Sequence, residues 1–244
     1  VGRAGRVLRL VDVVRDGFAQ ILTIEADGLT QSVRLPLIGA YQVENVLSAA
    51  GLALAVGIDT GDVFAALEKL SGVPGRLDRV GEVRGGIVIV DYAHKPEALQ
   101  AVLDSVRPFV SGRLICVFGC GGDRDRGKRA IMGGIASAQA DVVIVTDDNP
   151  RTEDAASIRA EILADAPNAL EIGERRAAIE AAIGMAQAGD VVVIAGKGHE
   201  TGQIVGNTVL PFSDHEVARA AIQRETGLRE TGPRDASPRE TGHG

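Results

Sequence analysis

The chain has 244 residues, of which 45% are hydrophobic and 24% charged, a balance typical of globular proteins that excludes wholesale disorder. Its 26 Lys and Arg residues against 33 Asp and Glu give a formal net charge of −7, which argues against general nucleic-acid binding. No apolar run approaches the roughly 18–20 residues that a membrane-spanning helix requires, and no secretory signal opens the sequence.

The first region of the chain, up to a break at residues 71–75, predicts an antiparallel sheet followed by two helices. Strands are predicted at residues 7–14, 18–25 and 32–37, and helices at 43–56 and 62–70. The turn Arg15-Asp16-Gly17 suits a hairpin between the first two strands. We place the domain boundary after the break, which makes residues 1–79 the first domain.

The second region alternates apolar runs with helical patterns, which predicts an α/β fold. The apolar runs lie at residues 87–90, 114–118, 142–145 and 191–195, and the helical patterns at 96–110, 129–140, 155–164 and 174–188. Runs that are apolar throughout indicate strands buried on both faces, so we expect a Rossmann-like, mostly parallel sheet with helices on both faces. Ligands of such sheets bind beyond the carboxyl ends of the strands.

The third region is the C-terminal tail. The sequence Arg-Glu-Thr-Gly recurs at residues 224–227, 229–232 and 239–242. Leu228 is the only large apolar side chain in residues 224–244, so this segment cannot bury enough apolar surface to fold independently. We therefore predict that residues 224–244 are disordered and that the second domain spans residues 80–223.

The first two strand ends of the second region each allow two interpretations. Asp91 and His94 precede a helix that starts with proline, where they suit a ribose hydroxyl or a phosphate, or form an ordinary helix cap. The glycine loop at 119–129 fails two phosphate-binding patterns, because Arg124 replaces a glycine of the dinucleotide fingerprint and Arg129 replaces the Ser or Thr of a P-loop. This loop suits an anionic ligand, or it is a self-paired charge cluster.

The third strand end carries groups for a ligand with both an ammonium and a carboxylate. Arg151 suits the carboxylate, while Asp148 or Asn149 suits the ammonium, although Asp-Asn-Pro is also ordinary turn chemistry. Gly196 and Glu200 follow the last strand, in a loop that lets a ligand approach the backbone closely. Because four polar loops meet at one sheet edge, we expect a binding site there.

Together these motifs resemble the Mur ligases. The segments that carry the resemblance are 91–94, 118–129, 146–151, 195–200 and 212–214, in the order that the family shows. Residues 39–48 and 74–76 resemble the end of the family's central ATP-binding domain. The resemblance implies a C-terminal Mur ligase domain with a Rossmann-like fold, preceded by the last part of an α/β ATP-binding domain.

The resemblance also implies an activity. The expected enzyme adds meso-diaminopimelate to UDP-N-acetylmuramoyl-L-alanyl-D-glutamate in peptidoglycan synthesis, with ATP and Mg²⁺, through an acyl phosphate that the amine attacks. It would be a cytoplasmic protein, monomeric when complete, with small-molecule substrates and no nucleic-acid or membrane partner. The only two cysteines, Cys116 and Cys120, agree with a reducing compartment.

Site residues follow from matching the family's motifs to this sequence. The residues that would bind meso-diaminopimelate are Arg124, Asp148, Asn149, Pro150, Arg151, Gly196 and Glu200. Those expected near ATP are Asn45, Arg76, Asp91 and His94. Arg151 would bind the far carboxylate of diaminopimelate, which lysine lacks. The resemblance assigns no catalytic or metal-binding residue within the chain.

Three departures from the family bear on what this chain can do alone. No G-x-x-x-x-G-K-[ST] pattern occurs, and neither the UDP-binding domain nor the carbamylated lysine that helps to bind Mg²⁺ has a counterpart. Since the chain also begins at Val1, we expect it to be the C-terminal half of a ligase, inactive alone. The alternative is a non-catalytic module that binds an amino acid or a nucleotide. An NAD-dependent oxidoreductase is disfavoured, because a suitable acidic residue is lacking about 20 positions after the glycine loop, where the sequence runs into the apolar strand at 142–145.

Overall fold

A small antiparallel sheet opens the fold in the computed structural model, which describes residues 1–227. Its strands are β1 (Leu8–Asp16), β2 (Ala19–Ala26) and β3 (Leu29–Leu35), paired in the order β1-β2-β3. Gly17 adopts a φ of 57° in the hairpin turn, a left-handed conformation that favours glycine. The turn therefore forms where Asp-Gly chemistry predicts it.

Two helices cover one face of this sheet: α1 (Ala40–Ala55) and α2 (Thr60–Leu67). Alternate residues of β2, among them Leu22 and Ile24, are fully buried and pack against Val46, Leu47 and Phe64 of the helices. Asp59 caps α2, because its side chain accepts a hydrogen bond from the backbone N–H of Gly61. This unit thus has a hydrophobic core of its own.

A second sheet of six strands forms the larger part of the molecule. It contains β4 (Asp78–Val83), β5 (Gly86–Asp91), β6 (Leu114–Phe118), β7 (Val142–Val145), β8 (Leu170–Glu171) and β9 (Val191–Ala195), in the order β4-β5-β9-β6-β7-β8. Only β4 pairs antiparallel with its neighbour, and the other pairs are parallel. The expected mostly parallel α/β sheet is therefore confirmed.

Helices cover both faces of the large sheet. They are α3 (Pro96–Val106), α4 (Lys128–Gln139), α5 (Ala155–Leu163), α6 (Arg175–Met185) and α7 (Asp214–Thr226). The first three share a core with Cys116 and Val193 on one face, whereas α6 and α7 pack with Val117 and Ile194 on the other. A hairpin of β10 (Gly202–Val205) and β11 (Thr208–Pro211) precedes α7. No helix in the described part of the chain is long and apolar enough to cross a membrane.

The structure corrects several boundaries. Helix α3 ends at Val106 rather than at residue 110, because the chain tightens into a 3₁₀ turn at Arg107–Phe109 that contains Pro108. Helix α7 extends to Thr226, so residues 224–226 are helical and not disordered; the rest of the predicted tail, 228–244, lies outside the described residues. The boundary expected after residue 79 falls inside β4, and we propose that the two units meet at residues 71–77 instead.

Candidate functional site

A cleft of about 770 Å³ opens at the carboxyl ends of β5, β6, β7 and β9. The four loops that follow these strands all contribute to its walls, as expected for a doubly covered parallel sheet. Predicted site residues that line the cleft are His94, Arg124, Asp148, Asn149, Arg151, Gly196 and Glu200. Pro150 is buried behind them, and Asn45, Arg76 and Asp91 do not line this cleft.

The turn after β7 fixes the position of Arg151. Its backbone has a φ of 52°, an unusual conformation for a residue other than glycine, and one that often marks functional turns. The β10–β11 hairpin supports this turn from both sides, because Arg151 N donates to Ile204 O at 3.1 Å and Gly206 N donates to Arg151 O at 2.7 Å. The guanidinium donates through Nη1 to Gly122 O at 2.8 Å. Among the described residues, Nε and Nη2 make no hydrogen bond and remain for a ligand.

Asp148 and Asp147, although adjacent, face different surroundings. Asp147 forms an ion pair with Arg159, and burial still raises the pKa of its carboxyl. Asp148 lies at the cleft, where its buried Oδ1 makes no hydrogen bond within the described residues. Of the two carboxylates on this turn, only Asp148 can therefore meet a ligand.

The glycine loop after β6 is in part a self-paired charge cluster. Arg129 is fully buried and pairs with Glu153 at 2.8 Å and with Glu161 at 2.9 Å, while Arg126 also pairs with Glu161. The Arg129 guanidinium and the Asp123 backbone N–H lower the pKa of Glu153 to about 2. Two of the four cations of this loop are thus committed to protein carboxylates.

The remaining two cations of the loop, Arg124 and Lys128, lie at the cleft. Arg124 Nη1 donates to Asp123 O at 2.9 Å, and Lys128 Nζ donates to His94 O at 2.8 Å. The Asp123 carboxylate would not repel an anionic ligand of this loop directly, because it is turned to Thr152, whose N and Oγ1 donate hydrogen bonds to it. The anionic-ligand interpretation therefore applies to Arg124 and Lys128 alone.

Gly122 brings the glycine loop against the turn that holds Arg151. A Cβ on this residue would lie 1.9 Å from Pro150 O, so Gly122→Ala is expected to lower the free energy of unfolding by about 1–3 kcal/mol. Gly134→Ala on α4 is the matched control, since its Cβ would meet Asp165 Cβ at an ordinary 3.7 Å. Urea denaturation measures both, and equal stability of the two variants would contradict this packing.

Two cations that were not predicted as site residues, Arg175 and Lys197, are buried and donate hydrogen bonds to residues at the strand ends that form the cleft. Arg175 and Asp214 form a fully buried pair, with Arg175 Nη2 at 2.7 Å from Asp214 Oδ2 and at 3.0 Å from Ala195 O. Lys197 is also fully buried, and its Nζ donates to Asn149 Oδ1 at 2.7 Å. One feature of the sequence could have indicated a buried Lys197: it lies between two glycines, directly after a buried strand.

The carboxylate of Asp91 is hydrogen-bonded to two backbone N–H groups. Its Oδ2 accepts from Leu77 N and its Oδ1 from Ala93 N, each at 2.7 Å, and burial raises the pKa of this carboxyl. The side chain thereby fixes the segment before β4 to the end of β5. Direct contact of Asp91 with a nucleotide stays a prediction.

A cluster of rings beside the cleft surrounds Tyr92, which was not predicted as a site residue. The Arg76 guanidinium lies 4.6 Å from the Tyr92 ring centroid, and the rings of His94 and His199 lie at 4.6 and 5.4 Å. His94 Nδ1 donates to Tyr92 O at 2.8 Å, which leaves Nε2 as an acceptor. Rings packed edge-on and at a tilt beside a cation suit a nucleotide base or ribose.

Asn45 does not join the ring cluster or the cleft. It lies exposed on α1, where its Nδ2 is 3.5 Å from Gln42 Oε1. For magnesium, the described residues contain no group of three or more His, Cys, Asp or Glu side chains that could hold a metal ion.

Comparisons with known proteins agree with this geometry. The family model described as Mur ligase, glutamate ligase domain, matches residues 75–198. The UDP-N-acetylmuramoyl-L-alanyl-D-glutamate–2,6-diaminopimelate ligase of Mesorhizobium japonicum is 58% identical over 224 residues, which are 91% of this chain and 46% of that protein. The enzyme of the same name from Caulobacter vibrioides is 56% identical over 215 residues, or 88% and 44% of the two chains. The chain spans about half the length of the curated relatives it matches.

Solved structures show the same fold. A UDP-N-acetylmuramoyl-L-alanyl-D-glutamate–2,6-diaminopimelate ligase aligns with a TM-score of 0.71 and 38% identity, covering 90% of this chain and 46% of that one. A folylpolyglutamate synthase of Mycobacterium tuberculosis, solved with ADP and AMPPCP, aligns with a TM-score of 0.62 and 21% identity, covering 92% and 49%. At that identity the second likeness concerns the fold alone.

Proposed function

The chain belongs to the Mur ligase family, as its strand-end motifs predict, and we propose that it contributes the amino-acid site of an ATP-dependent ligase. In this proposal the complete enzyme joins meso-diaminopimelate to the D-glutamyl carboxylate of UDP-N-acetylmuramoyl-L-alanyl-D-glutamate. Relatives that are 58% and 56% identical carry the name of this enzyme, which supports the choice of substrate.

The observation that carries the proposal is the charge arrangement of the cleft. Arg151 stands on one wall with Nε and Nη2 not used by the described residues, and Asp148 and Glu200 offer carboxylates in the same cleft. A ligand with a carboxylate and an ammonium at one end fits this arrangement, because each ligand charge meets its opposite. The distal end of meso-diaminopimelate has that chemistry, whereas lysine has the ammonium alone.

The cleft contributes to amide formation chiefly by holding the amino acid. When its distal end is bound by Arg151, Asp148 and Glu200, rotation of the whole molecule is restricted, and its other amine can be presented to an activated carboxylate. Such positioning reduces the entropic cost of a reaction between two substrates. No residue is assigned here as the base that accepts the proton of the attacking amine.

ATP, when bound, supplies the phosphate that makes the glutamyl carboxylate a good acyl donor. The residues that fit a nucleotide are Arg76, Tyr92 and His94, through the packed rings and the adjacent guanidinium. The sequence has no P-loop pattern, and the described residues contain no group of three or more His, Cys, Asp or Glu side chains that could hold a metal ion. We therefore assign only the nucleoside end of ATP to this chain.

Arg151→Ala tests the proposed function. We expect the preference of the 244-residue chain for meso-diaminopimelate over lysine to fall about tenfold or more, because a hydrogen bond between two charged groups is lost. NMR titration with each amino acid measures the two dissociation constants. Arg126→Ala is the control, since Arg126 pairs with Glu161 and does not line the cleft. Unchanged selectivity in Arg151→Ala would refute the role given to Arg151.

A further inference from the structure

Lys197 is a cation near the cleft whose side chain is fully buried and lacks access to a ligand. Its Nζ donates to Asn149 Oδ1 at 2.7 Å and to Gly202 O at 2.8 Å. It also lies 3.4 Å from Asp148 Oδ1 and 3.5 Å from Glu200 Oε2. Four oxygen atoms, from the turn after β7, the loop after β9 and the first residue of β10, thus converge on one ammonium.

The inward direction of Lys197 follows from its neighbours. Gly196 and Gly198 have φ values of 121° and 53°, which reverse the chain directly after β9. A Cβ on Gly198 would lie 2.7 Å from Tyr92 Cβ, so the loop packs closely against the ring cluster. An uncompensated buried ammonium would be strongly destabilising, and the two nearby carboxylates offset that cost.

The partners of Lys197 are the side chains that the proposed function assigns to the amino acid. Asn149 uses its Oδ1 for Lys197 and for Ile204 N at 2.9 Å, and its Nδ2 donates to Glu200 Oε2 at 3.2 Å. Asp148 Oδ1 has no hydrogen bond within the described residues, so the nearby ammonium is what restrains it. Loss of Lys197 would therefore release three cleft side chains together.

We propose that Lys197 is a positioning residue, whose buried ammonium fixes Asn149 and, with it, Asp148 and Glu200, the two carboxylates that receive the ligand's ammonium. This inference rests on the proposed function, because it takes the ligand to be a diamino acid whose ammonium is bound at these carboxylates. Lys197 itself does not contact the amino acid. Its contribution is to the affinity for the ammonium, whereas Arg151 contributes to the choice between diaminopimelate and lysine.

Lys197→Met tests the inference through two measurements on the 244-residue chain. NMR titration is expected to show affinities for meso-diaminopimelate and for lysine that are both weaker by about tenfold or more, with the selectivity between them kept. If Lys197 acted only through its charge, Lys197→Met would instead strengthen the binding of both amino acids, because loss of the positive charge makes the cleft more negative and favours an ammonium. Binding that is unchanged or stronger would therefore overturn the proposal. Lys69→Met, at an exposed lysine, is the control.

The second measurement needs no ligand. Hydrogen exchange of the Ile204 amide, which donates to Asn149 Oδ1, should become faster in Lys197→Met while amides of the distant strand β2 keep their rates. Uniform acceleration throughout the chain would indicate a general stabilising role and would overturn the positioning role. If Lys197→Met does not fold, both measurements are made on Lys197→Gln, whose amide can still donate to Gly202 O. Absence of diaminopimelate binding by the unsubstituted chain would count against the proposed function, and the exchange rates would still decide the role of Lys197.

Discussion

Arg175→Met is expected to lower the free energy of unfolding by about 3–5 kcal/mol, because it leaves the Asp214 carboxylate buried without its partner. Both side chains of this pair are fully buried, so solvent cannot replace the lost interaction. The same guanidinium donates to Ala195 O, directly before the loop that carries Gly196 and Glu200. The variant should therefore also weaken amino-acid binding.

Urea denaturation of the 244-residue chain measures this loss. Arg9→Met is the matched control, since the Arg9–Glu25 pair is exposed and its removal should cost less than about 1 kcal/mol. Combining Arg175→Met with Asp214→Leu should recover part of the stability, because no unpaired charge then remains. Similar losses in Arg9→Met and Arg175→Met would show that burial does not govern the strength of these pairs.

Phe64→Ala is expected to cost about 3–5 kcal/mol, and the loss should be confined to the first unit of the fold. Phe64 is 1% exposed and packs only with the core that α1 and α2 form on the three-stranded sheet. If residues up to the junction at 71–77 unfold as a separate unit, amides of β2 will exchange rapidly while those of β6 and β9 stay protected.

Hydrogen exchange followed by mass spectrometry distinguishes the two outcomes. Leu52→Ala is the control, because Leu52 is 71% exposed on α1 and its truncation leaves the core intact. Equal acceleration of β2, β6 and β9 in Phe64→Ala would show that the chain unfolds as one cooperative unit and would refute the division proposed here.

The large sheet and the location of the cleft were predictable because their signals are local. Strands such as β6 and β9 are buried on both faces, so every residue in them is apolar and the run is visible in the sequence. Once four such strands are parallel, topology alone brings their following loops to one edge. Short or exposed strands lack that signal: β8 has two residues, and β11 is exposed throughout.

The start of helix α7 has a local signal in the sequence, a capping serine. Ser213 caps the helix by accepting from Glu216 N at 3.4 Å, and the Ser-x-x-Glu spacing is that of a capping box. The buried cations had no comparable signal, because burial of a charge depends on partners that are remote in the sequence. Arg175 meets Asp214 39 residues away, and Lys197 meets Asn149 48 residues away. Only the folded chain shows these pairs.

The β10–β11 hairpin would make the amino-acid preference that we propose for the cleft depend on residues outside it. The backbone of Arg151 is bonded to Ile204 and Gly206 on either side of Val205, so a shift of the hairpin moves the guanidinium with it. The hairpin belongs to neither of the larger sheets, and its outer residues Val209 and Leu210 are exposed. Substitutions there leave the central packing untouched. Selectivity can therefore drift during evolution, or be engineered, while every side chain that lines the cleft remains the same.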